Sequence, residues 1–216
     1  MRTNPRPVET SLPAHERLYR TLRTRVMHGT IEPGTALTLR GLAAEFGVSM
    51  TPAREAVRRL AAEGALTLSP TGRVATPVLA NERIEELASL RALLEPELAS
   101  RALPRAHMAL IDRMQSLNTV IEEMAAQNDA TGYVRSNLEF HRMLYLRAPA
   151  PAMLALAETV WLQAGPTMRS LYARRNPAEA TADHRKIIAA LRAGDEPALR
   201  LAVRTDVTRG LRLLLT

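Results

Sequence analysis

The sequence predicts a mostly α protein in two parts, and three observations lead there. From residue 82 onward, apolar residues recur at three- and four-residue spacing almost without interruption, with breaks only where Pro, Gly or Asn cluster. Upstream, two apolar-striped helical segments stand on either side of Gly47, and a third precedes them. Between the two parts, Leu66–Ser69 and Val74–Val78 read as short strands around Pro70–Arg73, the pattern of a β-hairpin. Three helices and a two-stranded wing make a winged helix-turn-helix over residues 12–78. A linker at 79–81 follows, then an all-helical bundle of about six helices over 82–216. Residues 1–11 hold two Pro and no periodicity, which predicts a flexible tail.

In chain order, Pro13–His28 is the first helix, with Leu18, Tyr19, Leu22 and Val26 facing inward. Ile31–Thr38 is a turn, and Thr38 can cap a short helix, Leu39–Phe46, striped by Leu39, Leu42, Ala43 and Phe46. Gly47 supplies a tight break. Thr51 can cap the next helix, whose first residue would be Pro52, because Pro has no N–H to lose at that position. Ala53, Ala56, Val57 and Leu60 form its apolar stripe, while Arg54 and Arg58 stand four apart on another face. Pro77 in the second strand suits an edge position. Asn81 can cap the first bundle helix. The bundle then divides into Glu82–Leu103, Pro104–Gln127, Ala130–Arg147, Pro151–Arg174, Pro177–Ala193 and Asp195–Leu215.

A helix, a Gly-containing turn and a second helix opening on hydroxyls and Arg is the pattern of a helix-turn-helix that reads DNA. An ordinary helical hairpin with a solvated Arg face has the same periodicity, and charge helps to separate the two. The net charge is +7, and residues 1–80 hold 11 Arg against 6 Glu, so most of the excess lies in the smaller part, where a phosphate-binding surface needs it. Only Lys186 among the 29 basic residues is lysine, a bias that also pervades the second part and reads as compositional habit. No apolar run reaches the length of a membrane span, no secretory signal opens the chain, and cysteine is absent, which fits a cytoplasmic protein and excludes thiolate metal sites.

LRGLAAEFGVSMTPAREAVRRLAAEGAL, with HERLYRTLRTRVMHGTIEPGTAL before it and a Gly-containing hairpin after it, resembles the DNA-binding head of the GntR family of bacterial transcription regulators. The resemblance covers about the first 80 residues. It implies that Arg40, Ser49, Thr51 and Arg54 contact DNA, with Gly72 and Arg73 at the tip of the wing. Met50 stands where relatives commonly carry a basic residue. Met can bond neither a phosphate nor a guanine edge, so affinity or base preference should differ there.

In the bundle, polar residues interrupt the apolar stripes. Asn137 and His141 lie among Val134, Leu138, Leu144 and Tyr145; His184 precedes Ile187, Ile188 and Leu191; Asp206 falls between Leu199, Ala202 and Val203 on one side and Gly210 and Leu213 on the other. Buried polar groups need partners, so these either satisfy one another or enclose something. Arg91, between Leu87, Ala88 and Leu94, is a further inward cation, and either Glu95 or an acidic effector can answer it. His15, His28 and His107, near helix ends or on polar faces, read as surface histidines.

NLEFH (137–141), DHRKII (183–188) and LRLAVRTD (199–206) resemble the segments that mark the FCD ligand-binding domain of one GntR subfamily. There an Asp and three His commonly bind a divalent metal at the floor of an effector pocket. His141 and His184 match two ligands directly, Asn137 stands where the Asp usually is, and Asp206 where the last His usually is. Two imidazoles and a carboxylate are a competent set for Zn²⁺, Ni²⁺ or Mn²⁺, with Asn137 a weak ligand or one acting through water. The RALLE segment implies an effector-holding role for Arg91. The expectation is a homodimeric, metabolite-responsive regulator that binds a double-stranded DNA operator and a small carboxylate-type effector. Two alternatives stand beside it: an enzyme with a two-His, one-carboxylate metal site, and a DNA-binding protein whose bundle only dimerises.

Overall fold

The computed structural model describes residues 12–69, 71–172, 181–212 and 215. The predicted tail over 1–11, Pro70 of the hairpin, the end of one helix at Arg174, the start of another at Pro177, and Leu213 lie outside the described residues.

Three helices open the chain, α1 (Ala14–Met27), α2 (Leu39–Glu45) and α3 (Met50–Ala62). Leu18, Tyr19, Leu22 and Val26 of α1 and Ala53, Ala56, Val57 and Leu60 of α3 are all buried, so both stripes face one core as their spacing predicts. Thr38 caps α2, its hydroxyl accepting from the Gly41 N–H at 2.9 Å. Gly47, at φ +60°, makes the turn into α3. That helix starts earlier than expected: Ser49 occupies the cap position, Met50 is the first helical residue, and Thr51 and Pro52 lie inside the first turn. The proline is tolerated there because N–H groups of the first turn have no partner within the helix anyway.

The wing differs in a larger way. Strands β2 (Thr67–Leu68) and β3 (Val74–Ala75) pair as predicted, but β1 (Ala36–Leu37), inside the stretch read as a turn, pairs with the other edge of β3. The order β1-β3-β2 makes β3 the central strand, and Pro77 falls beyond its end rather than within it. Two residues of strand carry too little alternation to be seen in a sequence; what fixes β1 is pairing. Thr76 closes this corner, donating to the Glu32 carbonyl at 2.5 Å and accepting from the Thr35 N–H at 3.1 Å.

Six helices follow: α4 (Asn81–Ala102), α5 (Met108–Ala126), α6 (Ala130–Tyr145), α7 (Pro151–Tyr172), α8 (Ala182–Ala193) and α9 (Glu196–Arg212). Among the described residues their number and order match the sequence reading, while three starts do not: α9 begins at Glu196, with Asp195 accepting from the Ala198 N–H before it, and the other two are those of α4 and α5. Asn81 is the first residue of α4 instead of its cap, and a short 3-10 turn, Leu103–Arg105, separates α4 from α5. His107, read as a surface residue, caps α5, its Nδ1 accepting from the Leu110 N–H at 3.2 Å.

The two parts are joined by α7. Leu162, with no exposed surface, belongs to the same core as Leu18, Leu22 and Leu60 of the head. Burying a leucine fully contributes about 1.5–3 kcal/mol, so part of the stability of the head is supplied from the bundle. Backbone meets backbone one turn later. A Cβ on Gly165 would stand 2.3 Å from the Val26 carbonyl oxygen and 2.7 Å from that of Met27. His28 sits half-buried beside this joint; burial, and secondarily the cation of Arg135, hold its imidazole below the usual range.

Gly165→Ala should therefore force α1 away from α7, because a carbonyl oxygen cannot swing aside as a flexible side chain can. We expect a loss of about 1–3 kcal/mol, the usual scale of overpacking, seen as a lower urea midpoint. An unchanged midpoint would show that the joint yields freely.

Candidate functional site

Apart from Arg17, which bonds the Leu12 carbonyl at 2.8 Å, the described arginines of the head fall into two groups. Arg20, Arg23, Arg25 and Arg59 are answered by Glu16, Glu63 and Glu45 within the head, with N–O distances of 2.6 to 3.1 Å. Arg40 on α2, Arg54 and Arg58 on α3, and Arg73 at the wing tip are exposed and, among the described residues, in no ion pair. A cation left without a carboxylate on a surface rich in them is available to a phosphate or a guanine edge. Ser49, Met50 and Thr51 are exposed beside them at the start of α3, Met50 at 41 %. Thr51, Arg54, Glu55 and Arg58 line a shallow groove along that helix. The tip holds Gly72 at φ +79°, where the Gly72 N–H bonds the Ser69 carbonyl and the Arg73 N–H bonds the Ser69 hydroxyl. Its geometry thus depends on a backbone conformation that L side chains rarely adopt.

Inside the bundle, the predicted ligands converge. His141 on α6, His184 on α8 and Asp206 on α9 are all buried, and one ligand atom from each lies within 4.8 Å of the others. His141 Nε2 is 3.0 Å from Asp206 Oδ2, and His184 Nε2 is 3.8 Å from Asp206 Oδ1. Two donors each about 2.1 Å from a shared ion stand roughly 3.0–3.4 Å apart, so the His141–Asp206 pair already has ligating spacing, while His184 would have to close toward Asp206 from 3.8 Å. Asn137, one turn before His141, is buried, and its Oδ1 has no hydrogen-bond partner among the described residues.

The partners of the two imidazoles settle which nitrogen each presents. His184 Nδ1 lies 3.0 Å from Asn118 Oδ1, and the Asn118 amide nitrogen donates to Glu122. An amide oxygen can only accept, so Nδ1 carries a proton, and in the neutral ring Nε2 holds the lone pair. His141 Nδ1 lies 3.3 Å from the Tyr145 hydroxyl, which donates its own proton to Glu95 at 3.1 Å. Tyr145 must therefore accept from His141 Nδ1, and in the neutral ring Nε2 again holds the lone pair. With both rings neutral, two lone pairs and a carboxylate face one buried point, a donor set that suits a cation. The His184 ring is further held by stacking on Phe140, with centroids 4.0 Å apart.

Arg91 finds Glu95. The pair is buried, with Arg91 Nε 2.5 Å and Nη2 3.3 Å from the two carboxylate oxygens, and Trp161 Nε1 donates to the same carboxylate at 2.9 Å. Burial opposes the Arg91 cation, but the Glu95 charge outweighs it and raises the guanidinium pKa; burial first, and Glu95 next, push the Tyr145 phenol well above its usual value. Asp183, beside His184, faces away from the cluster toward Lys186 at 2.9 Å and Arg209 at 3.2 Å. The sequence reading named the three ligands and the Arg91–Glu95 option. It missed Asn118, Phe140, Tyr145 and Trp161 as supports, since each reads as ordinary core on its own helix.

Comparisons with known proteins bear on the family and the fold. Residues 14–75 match the family described as "Bacterial regulatory proteins, gntR family", and residues 86–209, more than half of the chain, match the FCD domain. The HTH-type transcriptional regulator McbR of Escherichia coli K12 is 26 % identical over 196 residues, 89 % of each chain. The gluconate operon transcriptional repressor of Bacillus subtilis 168 is 30 % identical over 149 residues, 69 % of this chain and 59 % of that protein. The solved structure of E. coli McbR/YncC superposes with a TM-score of 0.85 at 24 % identity, covering 94 % of this chain and 97 % of that one, which shows a shared fold.

Arg91→Met tests the buried pair. It leaves the Glu95 carboxylate uncompensated by any cation it touches, and loss of one partner of such a pair costs about 3–5 kcal/mol. Denaturant unfolding should show a loss of that size, and a loss below about 1 kcal/mol would mean that Tyr145 and Trp161 suffice to hold the charge.

Proposed function

We propose, from the premise that this chain belongs to the gntR family of bacterial regulatory proteins and carries an FCD domain, that its operator binding is governed by a divalent metal and a small carboxylate-type effector in the bundle. Transcription regulation is the activity of the families and relatives it matches; they are not enzymes, which removes the alternative of a metal-dependent catalyst. The division of labour is a DNA-reading head over 12–78, a linker at 79–81 and an effector-binding and dimerising bundle over 82–216.

On the DNA side, the supporting observation is the set of arginines without carboxylate partners. Arg54 and Arg58, with Ser49 and Thr51, would enter the major groove on α3. Arg40 and the wing tip, Gly72 and Arg73, would grip phosphates on either side. Met50 opens the helix and would offer only apolar contact. A homodimer placing two heads on two half-sites follows from that mode of reading, and a cytoplasmic setting follows from the DNA partner.

On the effector side, the single observation that supports the metal is the convergence of the His141 and His184 Nε2 atoms on the Asp206 carboxylate. His141, His184 and Asp206 would hold the ion, Zn²⁺, Ni²⁺ or Mn²⁺ by donor type, with Asn137 a weak fourth ligand or one acting through water. A divalent ion with one carboxylate ligand keeps a net positive charge and open positions, which suits an anionic ligand such as a carboxylate. The name of the B. subtilis relative ties that protein to a gluconate operon, and a sugar-acid class of effector is compatible with such a centre. Arg91, whose fork is engaged by Glu95, would act on the effector through charge and by fixing Glu95. A bundle that only dimerises would leave this cluster without a cation, with His141 paired directly to Asp206.

Two measurements test the reading. Arg54→Ala should lose operator preference, with about 1–3 kcal/mol of discrimination gone, while Arg73→Ala should weaken all sequences and flatten the salt dependence. Equal operator affinity for Arg54→Ala and the parent would place α3 elsewhere. For the metal, the parent chain should bind one equivalent of Ni²⁺ or Zn²⁺ and melt higher with it. At a hundredfold excess over the dissociation constant the gain is about 2.7 kcal/mol. His184→Ala should lose both the ion and the gain, and Asn137→Asp should bind more tightly. A metal-free, less stable Asn137→Asp chain would refute the metal site.

A further inference from the structure

We infer that Gln163 is a positioning residue for the recognition helix α3, and that through it α7 carries the state of the buried His141–His184–Asp206 cluster to the DNA-reading surface. The inference rests on the regulatory reading above and adds the route of coupling.

Three consecutive residues of α7 engage three different parts of the molecule. Trp161 donates to Glu95, which is joined through Tyr145 to His141 of the cluster. Leu162 is buried in the core of the head. The Gln163 Nε2 donates to the Glu63 carbonyl at 2.9 Å, and its Oε1 accepts from Arg83 at 2.5 Å. Glu63 is the C-terminal cap residue of α3, whose last carbonyls have no partner within the helix. Gln163 therefore completes the end of the recognition helix from outside the head.

The backbone is shaped for that reach. Gly64 follows at φ +73°, and a Cβ there would stand 3.0 Å from the amide carbon and nitrogen of Gln163. The Gly64 and Ala65 N–H groups fold back onto Ala61 and Leu60 to finish the helix. Successive helical positions point about 100° apart, so α7 cannot turn or slide to follow Glu95 without moving Leu162 and Gln163 as well. Close-packed interiors pass such displacements on instead of absorbing them. A shift of His141 on holding an ion would pull on Tyr145 and Glu95, hence on Trp161, and thus on the end of α3. The same helix carries the Gly165 joint to α1, so the head receives the movement at two of its helices.

The test uses the full chain and amide hydrogen exchange at Gly64 and Ala65. The cluster is perturbed in two ways: by NiCl₂ added to chelator-treated protein, and, without metal, by Tyr145→Phe, which removes the hydroxyl joining His141 to Glu95. Each perturbation is applied to the parent and to Gln163→Met. In the parent both should change exchange at Gly64 and Ala65 by about threefold to tenfold, the usual range of coupling through packed networks. In Gln163→Met both changes should vanish, while fluorescence of Trp161, the single tryptophan, still responds to nickel. A role in stability alone would shift the baseline and leave the responses intact. Gln163→Glu, which keeps the acceptor for Arg83 and loses the donor to Glu63, replaces Gln163→Met if that variant does not fold. Responses that persist without the Gln163 donor, or a parent that does not respond to Tyr145→Phe, would overturn the inference. If nickel fails to bind, the metal reading falls, and the Tyr145→Phe arm alone decides the coupling.

Discussion

A carboxylate with no exposed surface, Glu95, is the constraint on which the bundle depends. Taking such a charge out of water is tolerable only when donors surround it. It draws in Arg91 from its own helix, Tyr145 from α6 and Trp161 from α7, so three helices must hold fixed rotations about one point. Tyr145 in turn fixes the tautomer of His141. The chemistry of the metal cluster is thus a consequence of how Glu95 is satisfied, one layer further out.

The same logic, applied with opposite sign, organises the head. Its internal arginines are neutralised by Glu16, Glu45 and Glu63, which lock α1 to α2 and α3. Tyr19 adds to this by bonding Glu63 while its ring lies 3.6 Å beneath the Arg59 guanidinium. Arg17 of α1 bonds the Leu12 carbonyl, and the other arginines left unneutralised lie on α2, α3 and the wing. A surface for a polyanion is made as much by withholding acidic residues there as by adding basic ones.

How much of this could be read from the chain alone depends on the range of the interactions. Helix stripes such as Leu18–Leu22–Val26 are local and periodic, and the structure follows them. The inward aim of His141, His184 and Asp206 was legible for the same reason: each breaks a stripe. Strand β1 was not legible, because two residues acquire strand geometry only by pairing with β3. Nor were the supports of the cluster. Asn118 is 66 residues from His184, and Trp161 is 66 from Glu95. A polar atom whose partner is that distant leaves no mark in either local pattern. Composition held one clue: aromatics are only 3 % of the chain, and Phe140, Tyr145 and Trp161 gather around the cluster.

The seating of Leu162 among Leu18, Leu22 and Leu60 bears on how such chains can be recombined. The short stretch between β3 and α4 invites a cut, as if the head were an interchangeable cassette. A head severed there leaves behind a side chain of its own core and carries away an empty socket. It also leaves the glycine that lets α1 touch α7. Chimeras that trade reading heads among relatives therefore inherit a mismatch unless residues 162–165 travel with the head, although they lie 84 positions or more beyond the graft point at residue 78.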